Sequence, residues 1–74
     1  MDILKQFGHR VQKLRIEAGW SQEVFADQTG LHRTYISGIE RGIRNPTLLI
    51  VQKIANALSI SPSELLKIED GELN

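Results

Sequence analysis

The chain has 74 residues, no cysteine, and a formal net charge of zero from nine basic and nine acidic side chains. This length suits one small domain with a thin core, and the lack of cysteine excludes disulfide frameworks and cysteine-based zinc sites. The longest apolar run, Leu48 to Val51, is far too short to cross a membrane and no signal peptide is evident, so we expect a cytoplasmic protein that contacts no membrane.

A first helix is predicted over about residues 2–18. Its apolar residues recur at spacings of three and four and form one stripe, composed of Ile3, Leu4, Phe7, Val11, Leu14 and Ala18. Gly19 ends this helix.

Two short helices follow. Ser21 is a good N-cap for a second helix that runs to about Thr29, and Gly30 can take the positive φ of a tight helix exit. A third helix is predicted over about residues 33–41, although its N-cap position holds His32 where Ser, Thr or Asp would be expected.

The second and third helices have the pattern of a helix-turn-helix. Small Ala26 lies where their backbones would meet. The apolar residues expected to point into the angle between them are Val24, Phe25, Leu31, Ile36 and Ile39. The segment from Arg33 to Arg41 keeps polar groups on its other face, as a helix in a DNA major groove must.

Two further helices are predicted after Gly42. Thr47 is a plausible N-cap for a fourth helix over about residues 48–58. Its inner face is expected to contain Leu48, Val51, Ile54, Ala55 and Leu58. Ser61-Pro62-Ser63-Glu64 forms a capping box with proline at the first helical position, so a fifth helix starts there. Five helices without a strand predict an all-α fold.

Charge is distributed unevenly along the chain. Residues 1–60 carry eight basic and five acidic side chains, whereas residues 61–74 carry one and four. We therefore expect one domain over residues 1–68 and a short acidic tail over residues 69–74. Three arginines fall between Arg33 and Arg44 with one acid among them, which favours an anionic partner such as nucleic acid.

Catalysis is disfavoured, because the sequence contains no nucleophile, carboxylate-pair or phosphate-loop constellation. His9 and His32 lack the spacing of metal ligands, so neither a metal nor a cofactor is expected.

These residues resemble the phage Cro/repressor-type helix-turn-helix family, often called the XRE family. The resemblance covers roughly residues 4–68. It is carried by Phe7-Gly8, Arg15, Gly19-Trp20-Ser21-Gln22-Glu23, Ala26, Gly30, Ile36, Ile39-Glu40-Arg41-Gly42 and Pro46. Within the family, the segment from Arg33 to Arg41, followed by Arg44-Asn45, is similar to controller proteins of restriction–modification systems.

The resemblance implies a compact five-helix bundle of the lambda-repressor-like type. It also implies a homodimer that binds a pseudo-palindromic double-stranded operator near its own gene and the endonuclease gene, with recognition helices about 34 Å apart. RNA polymerase is a further candidate partner. The alternative is an antitoxin or a protein-interaction adaptor of the same fold, whose main partner is a protein.

The family's site residues can be placed on this chain. Arg15 and Glu40 match a pair that forms a structural salt bridge between the first and third helices. The residues expected at the DNA are Gln22, Arg33, Thr34, Tyr35, Ser37, Arg41, Arg44 and Asn45. Gln22 is also expected to brace a side chain of the recognition helix.

Some interpretations remain open at this point. Tyr35 can lie against the DNA backbone or pack beside the first helix, and Ser37 can be an ordinary surface serine. We interpret Gly38 as a position where the missing side chain lets the helix backbone approach the groove closely, the alternative being a simple defect in helix propensity. A self-complementary dimer surface is expected from residues that can equally complete the monomer core: Leu49, Ile50, Leu65, Leu66 and Ile68.

Overall fold

Five α-helices and no strand form the part of the chain that the computed structural model describes, residues 2–68. In chain order they are α1 (Ile3–Glu17), α2 (Gln22–Thr29), α3 (Arg33–Glu40), α4 (Leu48–Ala57) and α5 (Pro62–Leu65). The predicted all-α class is confirmed, and the first four helices end within one residue of their predicted limits. The predicted acidic tail lies outside the described residues. None of the described helices has the length and apolar character needed to span a membrane.

Side chains at the helix starts accept hydrogen bonds from backbone N–H groups that would otherwise lack a partner. Ser21, Thr47 and Ser61 each accept from the N–H three residues on, at 3.1, 3.3 and 3.1 Å, as predicted. At α3 the imidazole Nδ1 of His32 accepts from the N–H two residues on, at 3.2 Å. A histidine therefore fills the cap position for which a hydroxyl or carboxylate was expected.

The core lies where α1, α2, α3 and α4 meet, with α5 packed against α4. Its buried apolar residues are Phe7, Val11, Phe25, Ala26, Ile36, Ile39, Val51, Ile54, Ala55 and Leu65. A core of ten residues is small, as expected from the length of the chain.

Four residues predicted to face the interior are instead exposed: Ile3, Ala18, Val24 and Leu48. The exposed fractions of Ile3, Val24 and Leu48 are 61%, 41% and 82%. All three lie in the first turn of their helix, and Ala18 caps the end of α1. The periodic pattern is correct along each helix, but the neighbouring helices do not cover its ends.

Gly8 allows α1 and α3 to approach closely. A Cβ atom added at Gly8 would lie 2.7 Å from the carbonyl oxygen of Glu40 and closer still to that of Ile39. Because these atoms belong to the backbone, a side chain at this position would push the two helices apart.

We expect Gly8→Ala to lower the free energy of unfolding by about 1–3 kcal/mol or more, the usual cost of overpacking a core. This loss outweighs the better helix propensity of alanine. Urea unfolding followed by circular dichroism measures it, with Gln12→Ala, at an exposed position of the same helix, as the control. Equal stability of the two variants would contradict the close approach at Gly8.

Candidate nucleic-acid interface

A buried ion pair joins α1 to α3. The guanidinium of Arg15 donates from Nε to Oε2 of Glu40 at 2.7 Å and from Nη2 to Oε1 at 3.0 Å. Both residues are less than a tenth exposed. This two-point geometry is the strong, directional form of the arginine–carboxylate contact. The structure thus contains the predicted salt bridge.

The same ion pair also fixes α2 and the turn before it. Gln22, the first residue of α2, donates from Nε2 to Oε1 of Glu40 at 3.1 Å, so it braces the recognition helix as expected. Arg15 donates from Nη1 to the carbonyl oxygen of Trp20 at 2.8 Å. A single hydrogen-bonded network therefore joins three helices.

Burial of Glu40 changes the charge that α3 presents to solvent. Glu40 is the one carboxylate between Arg33 and Asn45 in the sequence, and its side chain is turned inward onto Arg15. The three arginines of the same stretch, Arg33, Arg41 and Arg44, are all exposed. The outer face of α3 and of its following loop therefore carries cations without an exposed carboxylate of its own.

The N-terminal end of α3 is built around His32. Besides capping the helix, its Nδ1 lies 2.8 Å from Oγ1 of Thr34, which fixes the position of the threonine side chain. Arg33 and Thr34 are exposed there. Arg33 Nε lies 4.0 Å from Oε1 of Glu23 on α2, but both side chains are more than half exposed, so this pair restrains the arginine only weakly.

A Schellman turn ends α3 and directs the chain back along it. Gly42 has φ +76°, its N–H bonds to the carbonyl oxygen of Ile39, and the N–H of Ile43 bonds to that of Gly38, both at 3.0 Å. The loop that contains Arg44 therefore lies beside α3.

Arg44 packs across α3 in this loop. Its guanidinium carbon lies 5.5 Å from the centre of the Tyr35 ring, within the range of a cation–π contact. A Cβ added at Gly38 would lie 2.6 Å from Cγ of Arg44. The missing side chain at Gly38 therefore makes room for Arg44, a neighbour that the sequence did not predict, while the close approach of this helix to DNA stays a prediction.

The eight residues expected at the DNA are all accessible. The exposed ones are Arg33, Thr34, Arg41, Arg44 and Asn45, and the half-buried ones are Gln22, Tyr35 and Ser37. The ring of Tyr35 packs against the core and also lies beneath Arg44, and its contact with the DNA backbone stays a prediction.

The candidate dimer surface divides into exposed and buried members. Leu49 and Leu66 are 73% and 44% exposed, and Ile50 and Ile68 are half-buried. Leu65 is fully buried in the core. Its assignment to a dimer surface is therefore wrong, because α5 turns this side chain towards α4 within one protomer.

Sequence reasoning missed the role of His32 at the recognition helix. Its place directly before Arg33 is the N-cap position, and an unprotonated imidazole nitrogen can accept the hydrogen bond that a hydroxyl would. That position is the signal that would have identified it. Within residues 2–68 no group of three or more His, Asp or Glu side chains is arranged to hold a metal.

This geometry defines a helix-turn-helix domain of the type that presents a recognition helix to duplex DNA. α2 and α3 are joined by a tight turn at Gly30 (φ +74°) and pack around Phe25 and Ile36. The chain belongs to the helix-turn-helix family, whose sequence pattern matches residues 11–65.

Control proteins are among its relatives. Control protein C.BamHI of Bacillus amyloliquefaciens is 48% identical over 61 residues, which are 81% of this chain and 75% of the relative. The restriction-modification controller protein C.AhdI from Aeromonas hydrophila has 48% identity and a TM-score of 0.82, covering 84% of this chain and 94% of that one. C.Esp1396I, solved as a tetramer with its natural 35 base-pair operator, has 38% identity and a TM-score of 0.79, covering 89% and 91%. Both the family resemblance and the narrower resemblance to controller proteins are confirmed.

We expect Glu40→Ala to lower the free energy of unfolding by about 3–5 kcal/mol, because it leaves the Arg15 charge buried without its partner. Base preference should not change, since Glu40 does not face solvent. Urea unfolding measures the loss, with Glu17→Ala at an exposed position of α1 as the control. Site selection at a temperature where the variant is folded tests the second part, and an altered preference there would contradict it.

Proposed function

We propose that this chain is a sequence-specific, double-stranded DNA-binding transcriptional regulator of the restriction–modification controller type. The observation that carries the proposal is the cationic face of α3 and its loop, from which the one carboxylate is withdrawn into an ion pair with Arg15. A duplex presents a dense row of phosphates to such a face. The relatives are control proteins and transcriptional regulators, so no catalytic role is assigned.

Base reading is assigned to the start of α3 and to its loop. Arg33 is exposed at the end of the recognition helix that meets the base edges, where arginine can donate two hydrogen bonds to guanine O6 and N7. Thr34 can contact a thymine methyl group or a phosphate. Arg44 and Asn45 are exposed on the loop beside the same helix and form a second candidate reading group.

The remaining contacts are assigned to the sugar–phosphate backbone. Gln22 opens α2, whose first N–H groups suit a phosphate. Arg41 caps the far end of α3. Tyr35 and Ser37 lie between these ends and are half accessible. Such contacts fix the position of the helix on the duplex and contribute little to base preference.

A homodimer on a pseudo-palindromic operator is supported by exposed apolar residues of α4 and of the chain after α5. Leu49 and Leu66 are exposed, and the half-buried Ile50 and Ile68 lie one and two residues from them in sequence. The tetramer of C.Esp1396I on its operator supports assembly on DNA.

The resemblance to controller proteins of restriction–modification systems also supports a choice of regulated genes. We place the operator beside this protein's own gene and the endonuclease gene. Control of transcription there makes RNA polymerase a further partner and the cytoplasm the site of action.

Selection from a random duplex library should enrich an inverted repeat with one fixed spacing. In the same experiment Arg33→Ala should lose preference at one base position per half-site, with discrimination reduced by about 1–3 kcal/mol. Arg41→Ala is the matched control, because loss of a phosphate contact weakens all sequences alike and reduces the salt slope by about one.

Two results would contradict this assignment. A folded protein that enriches no site would argue for a protein partner instead of DNA. An Arg33→Ala variant that keeps full base preference would remove the base-reading role of that residue.

We expect Leu49→Glu to convert the dimer to a monomer, because the charge would be buried in the contact between copies. Glutamate in the first turn of α4 suits the helix dipole, so the monomer fold should persist. Sedimentation equilibrium measures the change in oligomeric state. Gln12→Glu, at an exposed position of α1, controls for the added charge. A Leu49→Glu dimer as stable as the wild type would exclude this surface.

A further inference from the structure

The side chain of Arg44, a predicted DNA contact, is held on two sides. Cγ of Arg44 occupies the space that a side chain at Gly38 would need. Its guanidinium lies over the ring of Tyr35 at 5.5 Å. The main chain reaches this position because of the Schellman bond from Ile43 to Gly38. A long arginine on an exposed loop would otherwise sample many rotamers.

We propose that Gly38 and Tyr35 are positioning residues that set the base preference of Arg44. Gly38 leaves a slot on α3 for the stem of the arginine, and the Tyr35 ring supports its guanidinium from one face. Neither residue needs to touch a base for this effect. The inference rests on the proposed DNA binding and deepens it, because it says why a particular loop arginine reads one base position.

Glycine at position 38 lowers the intrinsic stability of α3, which indicates that it has a function there. Glycine inside a helix is less favourable than alanine, and α3 has only eight residues. Gly38 has an ordinary helical φ, since the positive φ values in residues 2–68 are at Gly19, Gly30, Gly42 and Ser59. Backbone conformation therefore does not require glycine here, whereas the contact with Arg44 does.

Fixing a side chain before binding lowers the entropy lost when the complex forms. An arginine already laid along the recognition helix reaches its base without that loss. If alanine at position 38 displaces the aliphatic part of the Arg44 side chain, the contact between Arg44 and its base is lost or misdirected. The expected penalty is then that of one good arginine–base contact, between about 5-fold and about 140-fold in operator affinity.

A double-mutant cycle tests the proposal. Operator affinity is measured for the wild type, Gly38→Ala, Arg44→Ala and the double variant, on the selected operator and on the operator changed at the base position where Arg44→Ala loses preference. We expect Gly38→Ala to lose affinity and preference at that position only. In the Arg44→Ala background, Gly38→Ala should have less than about a twofold further effect, since residues that share one contact are not additive.

Tyrosine variants provide a second, independent measurement. Tyr35→Leu should relax preference at the Arg44 position, because it removes the ring. Tyr35→Phe keeps the ring and should retain the preference, even if loss of the hydroxyl weakens all sequences alike. Thermal unfolding accompanies each variant, and in the Arg44→Ala background Gly38→Ala should raise the midpoint by up to about 4–8 °C.

Three outcomes would overturn the inference. An equal loss from Gly38→Ala with and without Arg44 would show that DNA itself approaches the glycine. Unchanged preference in both Gly38→Ala and Tyr35→Leu would show that Arg44 needs no positioning. Full base preference in Arg44→Ala would show that Arg44 does not read a base, so that no residue is needed to position it. DNA binding by the chain would not be contradicted by this result. A wild type that selects no operator would instead remove the proposed function, and this inference with it.

Discussion

The carboxylate of Glu40 lies where three helices meet, and the stability of their packing depends on it. Arg15 on α1 and Gln22 on α2 both donate to this one side chain of α3, and the same arginine holds the carbonyl group of Trp20. A core of ten apolar residues is small, so loss of a buried polar contact would weaken it noticeably. Removal of either partner would leave the other charge buried and unpaired, although an intact pair of this kind adds little net stability.

The same contact also prepares the surface for an anionic partner. An exposed Glu40 would place a negative charge between Arg33 and Arg44, at the point where a phosphate backbone would approach. Turned inward, it neutralises Arg15 and leaves the outer arginines unopposed within α3 and its loop. A chain with zero net charge can thus present a strongly cationic face. Local arrangement of charge, rather than the total, is the property that matters for DNA.

The sequence predicted those features that depend on local chemistry. The caps at Ser21, Thr47 and Ser61 act through neighbouring N–H groups, so their position in the chain was sufficient to identify them. The exposure of Leu48 and the burial of Leu65 depend on how far a neighbouring helix extends, which periodicity does not encode. The contact of Arg44 with Gly38 requires the path of a loop in three dimensions. The sequence therefore predicted which helix and loop carry the candidate residues, but not how those residues support one another.

Within the proposed function, two separate parts of the chain determine what an operator must contain. The packing of α1, α2 and α3 positions the helix and the loop that carry the reading side chains within one protomer. The exposed residues around Leu49 and Leu66 belong to α4 and the segment after α5, and would set the distance between two protomers. Base preference and half-site spacing can therefore change independently. Substitutions at Arg33 or Arg44 alter the half-site that is read, whereas those at Leu49 alter which pairs of half-sites a dimer can span.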